Sequence, residues 1–214
     1  MSNSPVIAFL NKMTDLILLN VLLIICCIPV VTAGTAITAA YYVSITSIRC
    51  GDGYVVRRFF SSFKKNFRQI TPVWLVLLVC SLILAADLLF WYQMGTGFGK
   101  TMFIVSAVVA FLLLIWAMWI FPVFAKLEGK TGELLRNAAA FAVGYLPYTA
   151  IVLVITGVAV YANLVSLVAN GIMVFIGFAL LSYVKSFFFY RVFMNHIDEK
   201  YDDFDNPGEM RQED

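Results

Sequence analysis

Residues 101–125 read TMFIVSAVVAFLLLIWAMWIFPVFA, an unbroken run without a charged side chain. Crossing about 30 Å of hydrocarbon takes roughly 20 residues of helix at about 1.5 Å each. The run is long enough to span a bilayer, and the rest of the chain agrees with it. Of 214 residues, 62% are apolar and 13% charged, where an ordinary soluble domain has roughly 45–50% and about 25%. Mean hydropathy is +0.89. So few charges cannot clothe a water-soluble globule of this size, and a chain this apolar does not stay unfolded. The composition predicts an all-α polytopic transmembrane helix bundle.

Other uncharged stretches can be measured against the same length. Residues 16–48 carry no charge, too many for one upright helix, and Pro29 with Gly34 offers a structural turn. A helix before Pro29, a tight reversal and a second helix through Tyr41 and Tyr42 fit this stretch; a single bent span is the alternative. Residues 72–92 form a span interrupted by Asp87. From Asn137 to Val184 no residue is charged, which requires two helices. Their turn is expected around Tyr161-Ala162-Asn163, or else at Asn170-Gly171. Six spans are predicted, with five as the alternative. The amino terminus lacks the basic region and cleavage site of a secretory signal, so the first apolar helix is expected to be retained.

Lysine and arginine set the orientation. In the six-span arrangement fourteen of the fifteen lysines and arginines fall on one side, leaving Lys100 opposite. The predicted product is a multi-pass protein of the cell membrane with a cytoplasmic carboxyl terminus. Residues 1–196 make one transmembrane domain and 197–214 an acidic cytoplasmic tail.

Residues 54–70, YVVRRFFSSFKKNFRQI, combine two faces at helical spacing. Val56, Phe59, Phe60, Phe63, Phe67 and Ile70 recur every three or four positions, with Arg57, Arg58, Lys64, Lys65 and Arg68 between them. The pattern predicts a basic amphipathic interfacial helix lying in the inner headgroup layer of the lipid bilayer. It can serve simply to seat the bundle, or its aromatic face can dock a partner membrane protein. Nucleic acid is not an expected partner, because positive-inside loops cluster lysine and arginine on their own account.

These segments resemble the YesL-like family, a domain of unknown function in Gram-positive bacteria. The resemblance rests on Ile28-Pro29-Val30-Val31-Thr32-Ala33-Gly34, Tyr41-Tyr42, Asp52-Gly53, the run from Phe59-Phe60 to Asn66-Phe67, and Tyr145-Leu146-Pro147. It is specific over about residues 10–90 and looser to residue 195. The resemblance implies a small polytopic protein, of a kind often encoded beside carbohydrate-uptake ABC transporters, with ABC permease subunits as possible partners. It brings no catalytic residues.

Little else in the chain points to chemistry. His196 is the one histidine, and the eight acids of the tail lack the glycine placement of a calcium loop. Cys26, Cys27, Cys50 and Cys80 form no CxxC pair, and packing is their ordinary role. No phosphate-loop, nucleophile-elbow or zinc-helix motif occurs, so no enzyme activity, cofactor or metal is expected. Asp87 is a candidate intramembrane polar group that must face a cavity, a partner or the outer interface. Asp15 and Lys185 fall at similar depth and can pair. Asn20 and Asn163 can bond between helices. The expectation is a non-enzymatic accessory subunit of a carbohydrate ABC uptake system. A stand-alone transporter or channel, or a sensory subunit using the tail, are the alternatives.

Overall fold

The computed structural model describes residues 5–50 and 54–194. Helix α1 (Pro5–Cys27) ends before Pro29, a 3-10 turn follows at Val30–Thr32, and α2 (Ala33–Cys50) returns. Then come α3 (Val55–Met94), α4 (Gly97–Lys126), α5 (Thr131–Gly144) and α6 (Leu146–Val165). The chain closes with α7 (Leu167–Ile172), a π-helical segment at Met173–Gly177, and α8 (Phe178–Met194). Asp52-Gly53, His196 and the tail 197–214 lie outside the described residues.

Among the described residues five helical stretches are long and apolar enough to cross a membrane: Leu10–Cys27, α3, α4, α6, and Leu167–Met194. The chain is thus an integral, multi-pass membrane protein. Helix α2, expected as the second of six spans, is not among them, and its surroundings explain why. Helices α1, α3, α4 and α8 all pack on it, and Thr35, Thr38, Ser44 and Thr46 are buried. Three of these hydroxyls bond back one turn: Thr38 to Gly34 O at 3.0 Å, Ser44 to Ala40 O at 2.8 Å and Thr46 to Tyr42 O at 2.8 Å. A helix walled by protein has no need of lipid-compatible side chains.

Helix α3 departs most from expectation. Residues 55–70 are not a separate interfacial helix; they run unbroken into the following span, 40 residues in all, or about 60 Å. Pro72 lies inside this helix. The proline withholds one backbone donor and weakens the helix there, yet neighbours hold both sides of it. Thr71 and Thr35 hydroxyls meet at 3.1 Å, and Trp74 Nε1 donates to Val30 O at 2.7 Å. Helix α2 runs antiparallel along the first half of α3: Gly34 lies against Trp74 at one end, and Val43 and Ser47 share a crevice with Val55 at the other. Helix α4 runs antiparallel along the second half, with Trp74 beside Phe121 (6.0 Å) and Tyr92 beside Phe103 (6.1 Å).

The fifth span also starts later than expected. Residues 137–144 belong to α5; the chain breaks at Tyr145, and Pro147 sits in the first turn of α6, where its missing N–H costs nothing. The following turn falls at Ser166 rather than at 161–163. Ser166 is extended, and its hydroxyl accepts from Ala169 N at 3.4 Å, an N-cap arrangement. Asn163 continues α6, donating to Ala159 O at 2.8 Å.

A buried aromatic cluster ties five helices together. The Trp119 ring stacks on Phe141 (5.7 Å) and meets Phe189 edge-on (4.9 Å), and Phe189 in turn meets Tyr41 (5.7 Å). The indole N–H of Trp119 donates to Thr149 Oγ1 at 2.9 Å. Away from this base, two hairpin arms stand nearly bare. Between Leu75 and Met94 only Leu77 is buried, and Leu164 and Leu167 at the α6–α7 tip are 81% and 86% exposed. These arms are the surface that a bilayer covers.

Candidate functional site

The 54–70 segment divides into three flanks instead of two faces. Val55, Phe59, Ser62, Asn66 and Ile70 point into the bundle, a three- and four-residue spacing that mixes apolar with small polar groups. The Asn66 amide is satisfied within the helix by Ser62 O (3.1 Å) and Ser62 Oγ (3.2 Å). The second flank is pinned to the α4–α5 connection: Lys65 pairs with Glu128, and Gln69 Nε2 donates to Gly129 O at 2.8 Å. The third flank is open. Val56, Phe60 and Phe67 are 41%, 48% and 39% exposed, and Arg57, Lys64 and Arg68 lie exposed beside them. Phe63 lies between the buried and open flanks, stacked on Phe59 (6.1 Å) and tilted on Phe67 (5.7 Å). Arg58 is half-buried.

An open groove of about 670 Å³ runs beside the third flank, lined by Asp15 and Leu18 of α1 and by Arg57, Phe60, Ser61 and Lys64 of α3, among others. At its lip Tyr54 holds a left-handed backbone, φ 58°, a conformation rare for a bulky side chain. The groove can take an amphipathic segment carrying an apolar anchor and acidic groups.

Asp87 is engaged locally. Trp91 Nε1 donates to Asp87 Oδ1 at 2.9 Å, and the Ser106 hydroxyl of α4 donates to Oδ2. The carboxylate therefore pins the α3–α4 arm near its tip. Asp87→Asn leaves one side-chain oxygen for two donors, and interhelical bonds in membranes average about 0.6 kcal/mol. The thermal midpoint in detergent should fall by a few degrees; an unchanged midpoint would mean that these bonds contribute nothing.

Asp15 and Lys185 do not share a site. Asp15 lines a crevice with Lys12 and Tyr183, and the Lys12 ammonium sits 4.6 Å from the centre of the Tyr183 ring, a cation–π contact. Lys185 lines a different crevice of about 490 Å³, with Cys27, Tyr41 and Ser182. Pro29 and Gly34 frame the α1–α2 turn, but Gly34 is required for another reason. A Cβ there would lie 2.5 Å from Trp74 Cβ.

The feature least visible beforehand is the clamp made by Asn20. This residue is fully buried. Its amide donates to Val174 O at 2.7 Å and Met173 O at 3.4 Å, and its oxygen accepts from Ala179 N at 3.0 Å. Val174 and Ala179 stand five apart, the spacing of a π turn. One side chain of α1 thus holds both ends of the π turn. The sequence shows that Asn20 lies in an apolar run but not which carbonyl it meets.

Among the described residues no group of three metal-ligating side chains forms, and Cys26, Cys27 and Cys80 are free thiols.

Residues 16–88 match a family described as a protein of unknown function, DUF624. The match takes in the apolar part of α1, all of α2, and α3 as far as Leu88. No curated protein and no solved structure matches the chain.

Proposed function

We propose that this protein is a non-enzymatic accessory subunit of a carbohydrate ABC uptake system in the cell membrane, as the YesL-like resemblance implies. Its carboxyl terminus is cytoplasmic, on the side of fourteen of the fifteen lysines and arginines. The open flank of α3 carries this reading. Phe60 and Phe67 stand exposed beside Arg57, Lys64 and Arg68, on a helix anchored at both neighbouring flanks. Exposed aromatics on a rigid support, rimmed by cations, are the composition of an interface centre. The partner is a permease subunit presenting an apolar and acidic cytoplasmic segment.

The test is recovery of the tagged protein from its native membrane in mild detergent, with mass spectrometry of what accompanies it. Two permease subunits should co-purify with the parent protein. Phe60→Ser with Phe67→Ser should reduce their recovery about tenfold or more, the loss of one or two anchor residues. Undiminished recovery with the double variant would remove this flank from the interface, and recovery of the protein alone would remove the accessory role.

A stand-alone transporter is the second reading, and the Lys185 crevice is the observation that favours it. An ionisable group lining a cavity inside a bundle is where a substrate path would run. With purified protein in vesicles, Lys185→Gln should then alter flux, whereas equal flux would exclude the crevice from the path.

A further inference from the structure

The pairing of α1 and α2 with the rest of the bundle bears on how far they enter the membrane. Their turn is level with Trp74, to which Val30 O is bonded. Beyond Trp74, α3 continues from Leu75 to Met94, with Leu77 its one buried residue and with α4 met at Asp87 and Tyr92, a further distance of about 30 Å. With Trp91 and Tyr92 in the outer interfacial layer, the 16 residues from Leu75 to Phe90 measure about 24 Å, so a hydrocarbon core about 30 Å thick reaches past Trp74 and takes the turn into its inner leaflet. On the other side of Trp74, α2 lies along the stretch of α3 that carries Arg57, Arg58, Lys64, Lys65 and Arg68. If α2 crossed the bilayer, these five cations would lie at the depth of the lipid tails, where charged side chains are least tolerated.

Helix α1 leads to the same place by a different route. Lys12 meets Tyr183, Asn20 meets Val174 and Ala179, and Leu23, Ile24, Cys27 and Ile28 share a crevice with Phe178 and Lys185. Lys12 and the last turn of α1 therefore both lie beside the stretch Phe178–Lys185, so α1 inclines across α8 instead of matching it turn for turn. The uncharged part of α1, Leu16–Cys27, is 12 residues, a length typical of re-entrant and interfacial segments. Its outer face is apolar: Ile17, Val21, Ile25 and Ile28 are exposed, as are Val30 and Val31 at the turn.

We infer that the α1–α2 hairpin is re-entrant: it enters and leaves on the cytoplasmic side, with its exposed apolar face covered by inner-leaflet lipid. Four helical stretches then cross completely, namely α3, α4, α6 and α7–α8. This count keeps fourteen of the fifteen cationic side chains on one side with Lys100 opposite, as six crossings would. It replaces both the six-span and five-span arrangements. Lipid is the occupant of the α1 face because its exposed side chains are aliphatic, and Leu18 among them shares a groove with Arg57 and Lys64, cations that attract anionic headgroups.

The experiment uses full-length protein with its native cysteines replaced. In intact cells a membrane-impermeant maleimide should label Phe98→Cys, at the α3–α4 tip, and should not label Val31→Cys. A second variant carries a short hydrophilic spacer with one cysteine after Val30, which would emerge outside if the hairpin crossed. It should stay unlabelled in cells and be labelled in inverted vesicles. External labelling of either turn variant at the rate of Phe98→Cys would overturn the inference. For the lipid face, Ile25→Cys is purified into phosphatidylglycerol–phosphatidylethanolamine vesicles. Its thiol should resist the maleimide at least tenfold relative to Ser61→Cys in the same inverted orientation. Equal reactivity would show that water reaches the face and that lipid is not its cover.

Discussion

Replacing Asn20 with leucine is expected to destabilise the bundle by about 2–3 kcal/mol, the cost of removing the fully buried side chain that bonds three backbone groups of another helix. Interhelical hydrogen bonds in membranes average only about 0.6 kcal/mol, because the separated helices find other partners. The Asn20 bonds should exceed that average, since one fully buried side chain makes three of them, to Met173 and Val174 of the π segment and to Ala179 in the first turn of α8. Thermal unfolding in detergent measures the effect, and leucine is the right replacement because it keeps the branched skeleton of asparagine and removes its polar atoms. Asn20→Asp keeps the acceptor for Ala179 N and loses the donor to Val174 O, so it should recover only part of the loss. A leucine variant with the parent midpoint would mean that α8 has relaxed into a regular helix at no cost, and that the π turn is incidental.

The second large effect is expected at Gly34. Its Cβ position is already occupied by Trp74, with Trp74 Cβ at 2.5 Å and Cγ at 2.6 Å. These are the near, inflexible atoms of the indole side chain, so the ring cannot swing aside without moving α3. Gly34→Val should therefore force α2 from α3, break the Thr35–Thr71 contact and release Trp74 Nε1 from Val30 O. Overpacking of this kind costs about 1–3 kcal/mol, occasionally more, and here two hydrogen bonds go with it. Gly157→Ala serves as the comparison, because nothing lies within 4 Å of its Cβ position. Gly34→Val should lower the thermal midpoint by several degrees more than Gly157→Ala; equal midpoints would show that α2 and α3 can separate freely.

The uncharged runs announced most of the helices, because lipid-facing surface must be apolar whatever the packing. Residues 101–125 and 72–92 lie within α4 and α3, and the break at Pro29 is where proline and the following turn require one. What hydropathy could not convey is which helix lies behind another. Helix α2 reads as a span when its neighbours are unknown, yet its threonines and serines are those of a helix enclosed by protein. The 54–70 stretch reads as a free amphipathic helix for a related reason. Two of its aromatics, Phe59 and Phe63, belong to the packed side, and only contact with α1 and α2 separates them from Phe60 and Phe67. Asp87 was visible as a lone carboxylate, but its two donors sit four and nineteen residues away, the second on another helix. Local spacing suggests Trp91; it cannot suggest Ser106.

Pro72 divides α3 into a part held on several sides and a part held by α4. A proline inside a helix lets it flex at that point, so the α3–α4 arm can change its inclination while the base keeps its packing. Bilayers differ in hydrocarbon thickness by several ångströms, and an apolar helix longer than the local thickness adapts chiefly by tilting. The arm beyond Trp74 is about 30 Å long. Leaning it over at Pro72 shortens its reach along the membrane normal at the expense of the Trp74–Val30 bond, while the Thr35–Thr71 contact and the Lys65–Glu128 pair, on the base side of the bend, stay in place. The protein is thereby built to keep the same cytoplasmic geometry in membranes of different thickness.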